Sequence, residues 1–227
     1  MDELEQEFVK ILRALEECGA LQQVALIGSW AMFVYSKTML FGKISTSRFK
    51  TRDLDFSLHS QKGPYSSNPP IGSKLRSLDY VSRPKGFDEA EEFVAAAHSN
   101  NELSIEFLAS RTKSDKPFWI PKMEVTACPL RFQDVLLNKL ITVNYQGLEI
   151  NVPDPVIWAM HKIAISQLRQ GRNHEDKMEN DIMGANVVIE AVGEDLVLQA
   201  VENEMKKFKN IFKRGWKMRN EISEGKF

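Results

Sequence analysis

The chain has 227 residues, 43% of them apolar, and a formal net charge of −1. That length carries one full core or two small ones, and the apolar share excludes a disordered chain. The near-neutral balance excludes a global field toward nucleic acid or membrane, so any polyanion site is local.

Leu4, Phe8, Ile11, Leu12 and Leu15 recur at helical spacing, and Gly19 closes that helix. Residues 24–27 read as a buried strand running into Gly28 and Ser29, where a helix to about Tyr35 begins. Residues 36–52 are polar and basic (Lys37, Lys43, Arg48, Lys50, Arg52) and read as a loop. In the strand that follows, Leu54 and Phe56 take one face and Asp53 and Asp55 the other. Residues 60–86, with Gly63-Pro64, Asn68-Pro69-Pro70, Gly72 and Pro84, read as a long excursion. Residues 87–97 look helical, and 103–108 form a strand carrying Glu106 in an otherwise apolar run.

Further along, 122–127 is a short strand and 132–137 a short helix or turn. Residues 140–145 and 148–152 form a hairpin around Gln146 and Gly147. From Pro153 onward the chain reads as helices. The first carries Val156, Ala159, Ile163 and Leu168 as its apolar stripe, and three more span 174–191, 194–207 and 208–222, with Gly193 and Gly215 as breaks. The expected division is an α/β domain over residues 1–152 and a helical domain over 153–227. Cys18 and Cys128 are too few for a zinc or disulfide framework and fit a reducing cytoplasm. The acidic start of the chain predicts no signal peptide, and no uncharged apolar run predicts a membrane span.

Two carboxylates on one strand face repel unless a cation lies between them, and Mg²⁺ takes hard oxygen ligands shared with substrate phosphates. A Gly-Ser helix start offers amides and a hydroxyl to those phosphates. Glu106 is costly in an apolar run unless it is paired or ligates metal. The same residues have plainer readings. Gly28 and Ser29 make an ordinary turn with an N-cap serine. Asp53 and Asp55 are solvated acids paired with Arg52 or Lys50, and Glu106 is the buried partner of an arginine. Lys162 snorkels from an apolar stripe, and Lys177 and Asp181 form an i,i+4 surface pair. The basic and aromatic residues of 206–219 either track an RNA backbone or are the two faces of an amphipathic helix.

Gly28-Ser29, then Asp53-Leu54-Asp55, then Glu106 on a later strand resembles the signature of the nucleotidyltransferase superfamily, the DNA polymerase β-like fold. The bacterial nucleotidyltransferase-like proteins that include the AbiEii-type toxins are the nearer resemblance. It extends through Val152-Pro153-Asp154-Pro155, His161-Lys162-Ile163-Ala164, Arg172, Lys177 and Asp181. The third acid of that superfamily is usually aspartate, one methylene shorter than Glu106. The resemblance implies a mixed α/β (α+β) sheet flanked by helices and followed by a helical domain. It implies a transferase that moves a nucleoside monophosphate from an NTP, using Mg²⁺ or Mn²⁺ on Asp53, Asp55 and Glu106. Gly28, Ser29, Lys162, Arg172 and Lys177 would meet phosphates, with Asp181 orienting a lysine. The implied acceptor is a tRNA end or a protein hydroxyl, and the implied partner an antitoxin. A nucleotide-binding regulator without turnover is the second reading, and a metal-dependent nuclease the third.

Overall fold

The computed structural model describes residues 1–40, 42, 44, 51–58, 67–84, 91–96, 103–110, 116–169 and 174–223. The expectations placed on Lys43, Arg48, Lys50 and Arg172 lie outside the described residues.

Helix α1 (Glu3–Glu17) is capped by Asp2, whose carboxylate accepts from the Glu5 amide at 2.9 Å, and it buries Phe8, Ile11, Leu12 and Leu15. Strand β1 (Val24–Leu26) leads into α2 (Gly28–Lys37), and Trp30 of α2 stacks on Phe8 with ring centroids 4.3 Å apart. The strands that follow are β2 (Asp53–Leu58), β3 (Tyr80–Pro84), β4 (Glu91–Ala95), β5 (Ser104–Ser110), β6 (Phe118–Ile120) and β7 (Val125–Leu130). A short helix, α3 (Ile71–Arg76), precedes β3, and another, α4 (Gln133–Leu137), follows β7.

Among the described residues these strands make one mixed sheet, with β5 at its centre. One edge of β5 takes β2 in parallel, Asp55 opposite Glu106. Its other edge is shared, with antiparallel β4 at Ile105 and parallel β7 from Phe107 to Ser110. Strict alternation along β5 buries Ile105, Phe107 and Ala109 and leaves Ser104, Glu106 and Leu108 partly open. Leu54 and Phe56 are buried on the same side as Phe107, where the Phe56 and Phe107 rings stack at 6.0 Å.

The hairpin β8 (Leu140–Tyr145) and β9 (Leu148–Pro153) turns at Gln146 and Gly147 as the sequence predicts. Helix α5 (Pro155–Ser166) starts with proline in its first turn and the Asp154 side chain accepting from the Val156 amide at 2.9 Å. It is the axis of the helical half, against which α6 (His174–Val192), α7 (Glu194–Glu202) and α8 (Lys206–Ser223) pack. No helix among the described residues is long and apolar enough to cross a membrane.

Three expectations are corrected. Residues 91–95 form a strand where a helix was expected, because pairing with β3 on one side and β5 on the other outweighs local propensity. The excursion contains α3 and β3, anchored by fully buried Ile71, Leu75 and Tyr80. Gly215 lies inside α8 and ends no helix. A Cβ there would fall 2.1 Å from the Ile163 carbonyl oxygen, so the glycine lets α8 approach the α5 backbone.

Gly215→Leu is expected to destabilise the fold by about 1–3 kcal/mol through overpacking. A lowered urea midpoint with an unchanged m-value would show it, and an unchanged midpoint would refute close α5–α8 contact.

Candidate active site

Asp53, Asp55 and Glu106 line one cavity of about 650 Å³, on the sheet face opposite buried Leu54, Phe56 and Phe107. The period of two puts both aspartates on that face, and the parallel register sets Glu106 beside Asp55. Asp53 is exposed, while Asp55 and Glu106 are half-buried.

The turn into α2 is built around the second acid. Gly28 has φ +67, a conformation that calls for glycine, and the Asp55 carboxylate fills the space left free, its Oδ2 2.3 Å from where a Cβ would lie. The Ile27 amide donates to the Asp55 carbonyl at 3.0 Å. Ser29 Oγ lies 2.5 Å from Thr51 Oγ1, and Thr51 donates to the Asp53 carbonyl at 3.1 Å. Trp30, fully buried, is a wall residue whose Nε1 donates to the Thr51 carbonyl at 3.1 Å.

The facing wall comes from α5 and α6. Lys162 Nζ donates to Asp181 Oδ1 at 2.7 Å, and Arg169 Nε donates to Asp181 Oδ2 at 2.6 Å. Asp181 is 5% exposed. Burial alone would raise its carboxyl, but Lys162 and Arg169 together overcome this and hold it below the usual carboxylate range. Lys162 also lies 5.6 Å from the centre of the Trp158 ring. Trp158 Nε1 in turn donates to the Gly28 carbonyl at 3.0 Å, tying the helical half to the glycine turn. Lys177 is exposed at the cavity rim. Its i,i+4 pair with Asp181 does not form, because that carboxylate turns inward to Lys162 and Arg169.

Thus the cavity gathers Gly28, Ser29, Asp53, Asp55, Glu106, Lys162, Lys177 and Asp181. It also contains residues that the sequence reading assigned no role. Arg169 lies three residues past the end of α5, and no motif of its own marks it. Thr51 lies two residues before Asp53 and is marked by no motif of its own. His161 lines the apolar end with Leu108, Leu130, Leu136 and Ile165. Its Nε2 lies 3.2 Å from the Arg131 carbonyl, which only accepts, so that nitrogen carries the proton. Burial pushes the imidazole down from 6.5 to about 4, with neighbouring Lys162 and Arg169 acting in the same direction, and the ring is neutral at pH 7.

A family model described as nucleotidyltransferase matches residues 6–209, and the chain belongs to that family. No curated protein sequence matches it. Among solved structures, an antigenic nucleotidyltransferase-like protein from Paracoccidioides brasiliensis is similar in fold. It shares 15% identity over 98% of this chain and 91% of its own, with a TM-score of 0.53. The antibiotic-resistance factor ANT(2'')-Ia, in solution, aligns with 99% of this chain and all of its own, at 12% identity and a TM-score of 0.48.

The unfolded chain protonates His161 below about pH 6.5, whereas the folded protein does so only near 4. Stability should therefore fall with pH across that window, by up to roughly 3 kcal/mol. His161→Gln, which keeps an N–H for the Arg131 carbonyl, should flatten the slope of urea stability between pH 6.5 and 4. An unchanged slope would refute the buried neutral imidazole.

Proposed function

We propose that this member of the nucleotidyltransferase family binds an NTP in the cavity between the sheet and α5–α6 and transfers its nucleoside monophosphate to a hydroxyl acceptor. The observation that carries this reading is the β2–β5 register. It sets Glu106 beside Asp55, with Asp53 on the same face, in one cavity with the cationic side chains of Lys162, Arg169 and Lys177.

Mg²⁺ or Mn²⁺ is the cofactor this reading implies. The donors are hard carboxylate oxygens on one strand face, as such ions require. Among the described residues no three metal-binding side chains close into a cage. Magnesium commonly takes only one or two carboxylates and completes its shell with water and phosphate oxygens, so Asp53 and Asp55 fit it, with Glu106 adjacent. When bound, the ion would polarise the phosphoryl oxygens.

The protein's own groups supply the rest. The amides at the start of α2 face the triphosphate, and the helix N-terminus favours its negative charge. Lys162, held by Asp181, offsets charge on the departing pyrophosphate. Glu106 takes the proton from the attacking hydroxyl. Arg172 belongs to the same phosphate-binding proposal on the strength of the sequence resemblance. RNA ends and protein hydroxyls are the acceptors proposed. The AbiEii-type resemblance adds a toxin role with an antitoxin partner.

Incubated with α-labelled NTPs, Mg²⁺ and total RNA or protein extract, the wild-type chain should transfer label. Asp53→Ala and Asp55→Ala should each reduce transfer by about 100-fold or more. Saturable NTP binding without transfer to any acceptor would overturn the transferase mechanism in favour of a nucleotide-binding regulator. For the toxin role, expression in a bacterial host should arrest growth, and Asp55→Ala should relieve the arrest. Growth unaffected by the wild-type chain would refute that role alone.

A further inference from the structure

Ser29 and Thr51 form a chain of two hydroxyls at the mouth of α2, and their proton directions follow from simple accounting. Thr51 Oγ1 lies 3.1 Å from the Asp53 carbonyl oxygen. A carbonyl only accepts, so Thr51 spends its one hydroxyl proton there. In the 2.5 Å contact between Ser29 Oγ and Thr51 Oγ1, Ser29 is then the donor. Both residues line the cavity. The serine proton therefore points at Thr51, and Ser29 Oγ has only lone pairs left for anything that meets it from the cavity.

The non-bridging oxygens of a triphosphate also present only lone pairs. As the hydroxyls stand, Ser29 and a phosphate oxygen would face each other acceptor to acceptor. We propose that Thr51 is a positioning residue and that the chain reverses when a triphosphate binds. Ser29 rotates its proton to a phosphate oxygen, and Thr51 withdraws its proton from the Asp53 carbonyl and donates it to Ser29. Each hydroxyl keeps its own proton, and only the O–H directions change. A hydroxyl that accepts a hydrogen bond donates more strongly, so Thr51 reinforces the Ser29 contact. The Trp30 indole, donating to the Thr51 carbonyl at 3.1 Å, holds Thr51 in place through the reversal. This inference rests on the triphosphate reading of the cavity.

Titration calorimetry of the full chain with Mg²⁺ and inorganic tripolyphosphate tests it without a choice of base. Thr51→Val should weaken binding about tenfold, as expected for a lost hydrogen bond that serves a charged group. Thr51→Ser should restore affinity to within about twofold. Ser29→Ala should cost at least as much as Thr51→Val, and the double variant should be no weaker than Ser29→Ala, because Thr51 acts only through the serine. Thr51→Ala replaces Thr51→Val in the cycle if the valine variant melts early. Wild-type affinity in the Thr51 variant, failure of Thr51→Ser to rescue, or additive losses in the double variant would each overturn the relay. If the wild-type chain bound neither tripolyphosphate nor any NTP, the triphosphate reading itself would fall, and the relay with it.

Discussion

Asp55 Oδ2 stands 2.3 Å from the point where a side chain on residue 28 would begin. The turn into α2 and the acidic strand β2 are therefore fitted to each other at the level of single atoms. The positive φ of Gly28 aims the start of the helix, and the absent Cβ lets the carboxylate sit against the turn. An alanine would meet backbone strain and would turn the Asp55 carboxylate away from the bend. Asp55 in turn lies beside Glu106 in the β2–β5 register, so the carboxylate fitted to the bend is also the neighbour of the third acid.

Much of this was legible in the sequence because it obeys short periods. Alternation along 53–58 put the aspartates on one face and the aromatic and aliphatic residues on the other, as found. The hairpin around Gln146 and Gly147 was equally local. What was not legible depends on partners distant in the chain. Glu91, Glu92 and Ala95 favour a helix on their own, and only flanking strands make β4 extended. Gly215 looks like a helix breaker until the Ile163 backbone is seen beside it. Asp181 read either as the surface partner of Lys177, four residues away, or as a group that orients a lysine, and it pairs with Lys162 of α5 and with Arg169 just past the end of that helix. Sequence spacing names the neighbours on one helix and is silent about those on the next.

The helical half adds charge to the cavity and conceals the cost of doing so. A carboxylate as buried as Asp181 is stable only because two cations meet it, and those cations are oriented by it in return. Helix α8 shows the same economy at the periphery. Its apolar side, Phe208, Ile211 and Phe212, is buried, while Lys209 and Arg219 pair with Glu202 and Glu194 of α7. This is the amphipathic helix of the plainer reading, with part of its basic character spent on its neighbour.

The indole of Trp158 joins the floor of the helical bundle to the carbonyl of Gly28. Because Trp158 and Lys162 are one turn apart on α5, the helix that carries the cation also holds the glycine bend. The jaws of this cleft thus share a rivet. A tilt of α5 that kept this hydrogen bond would carry the bend along with it.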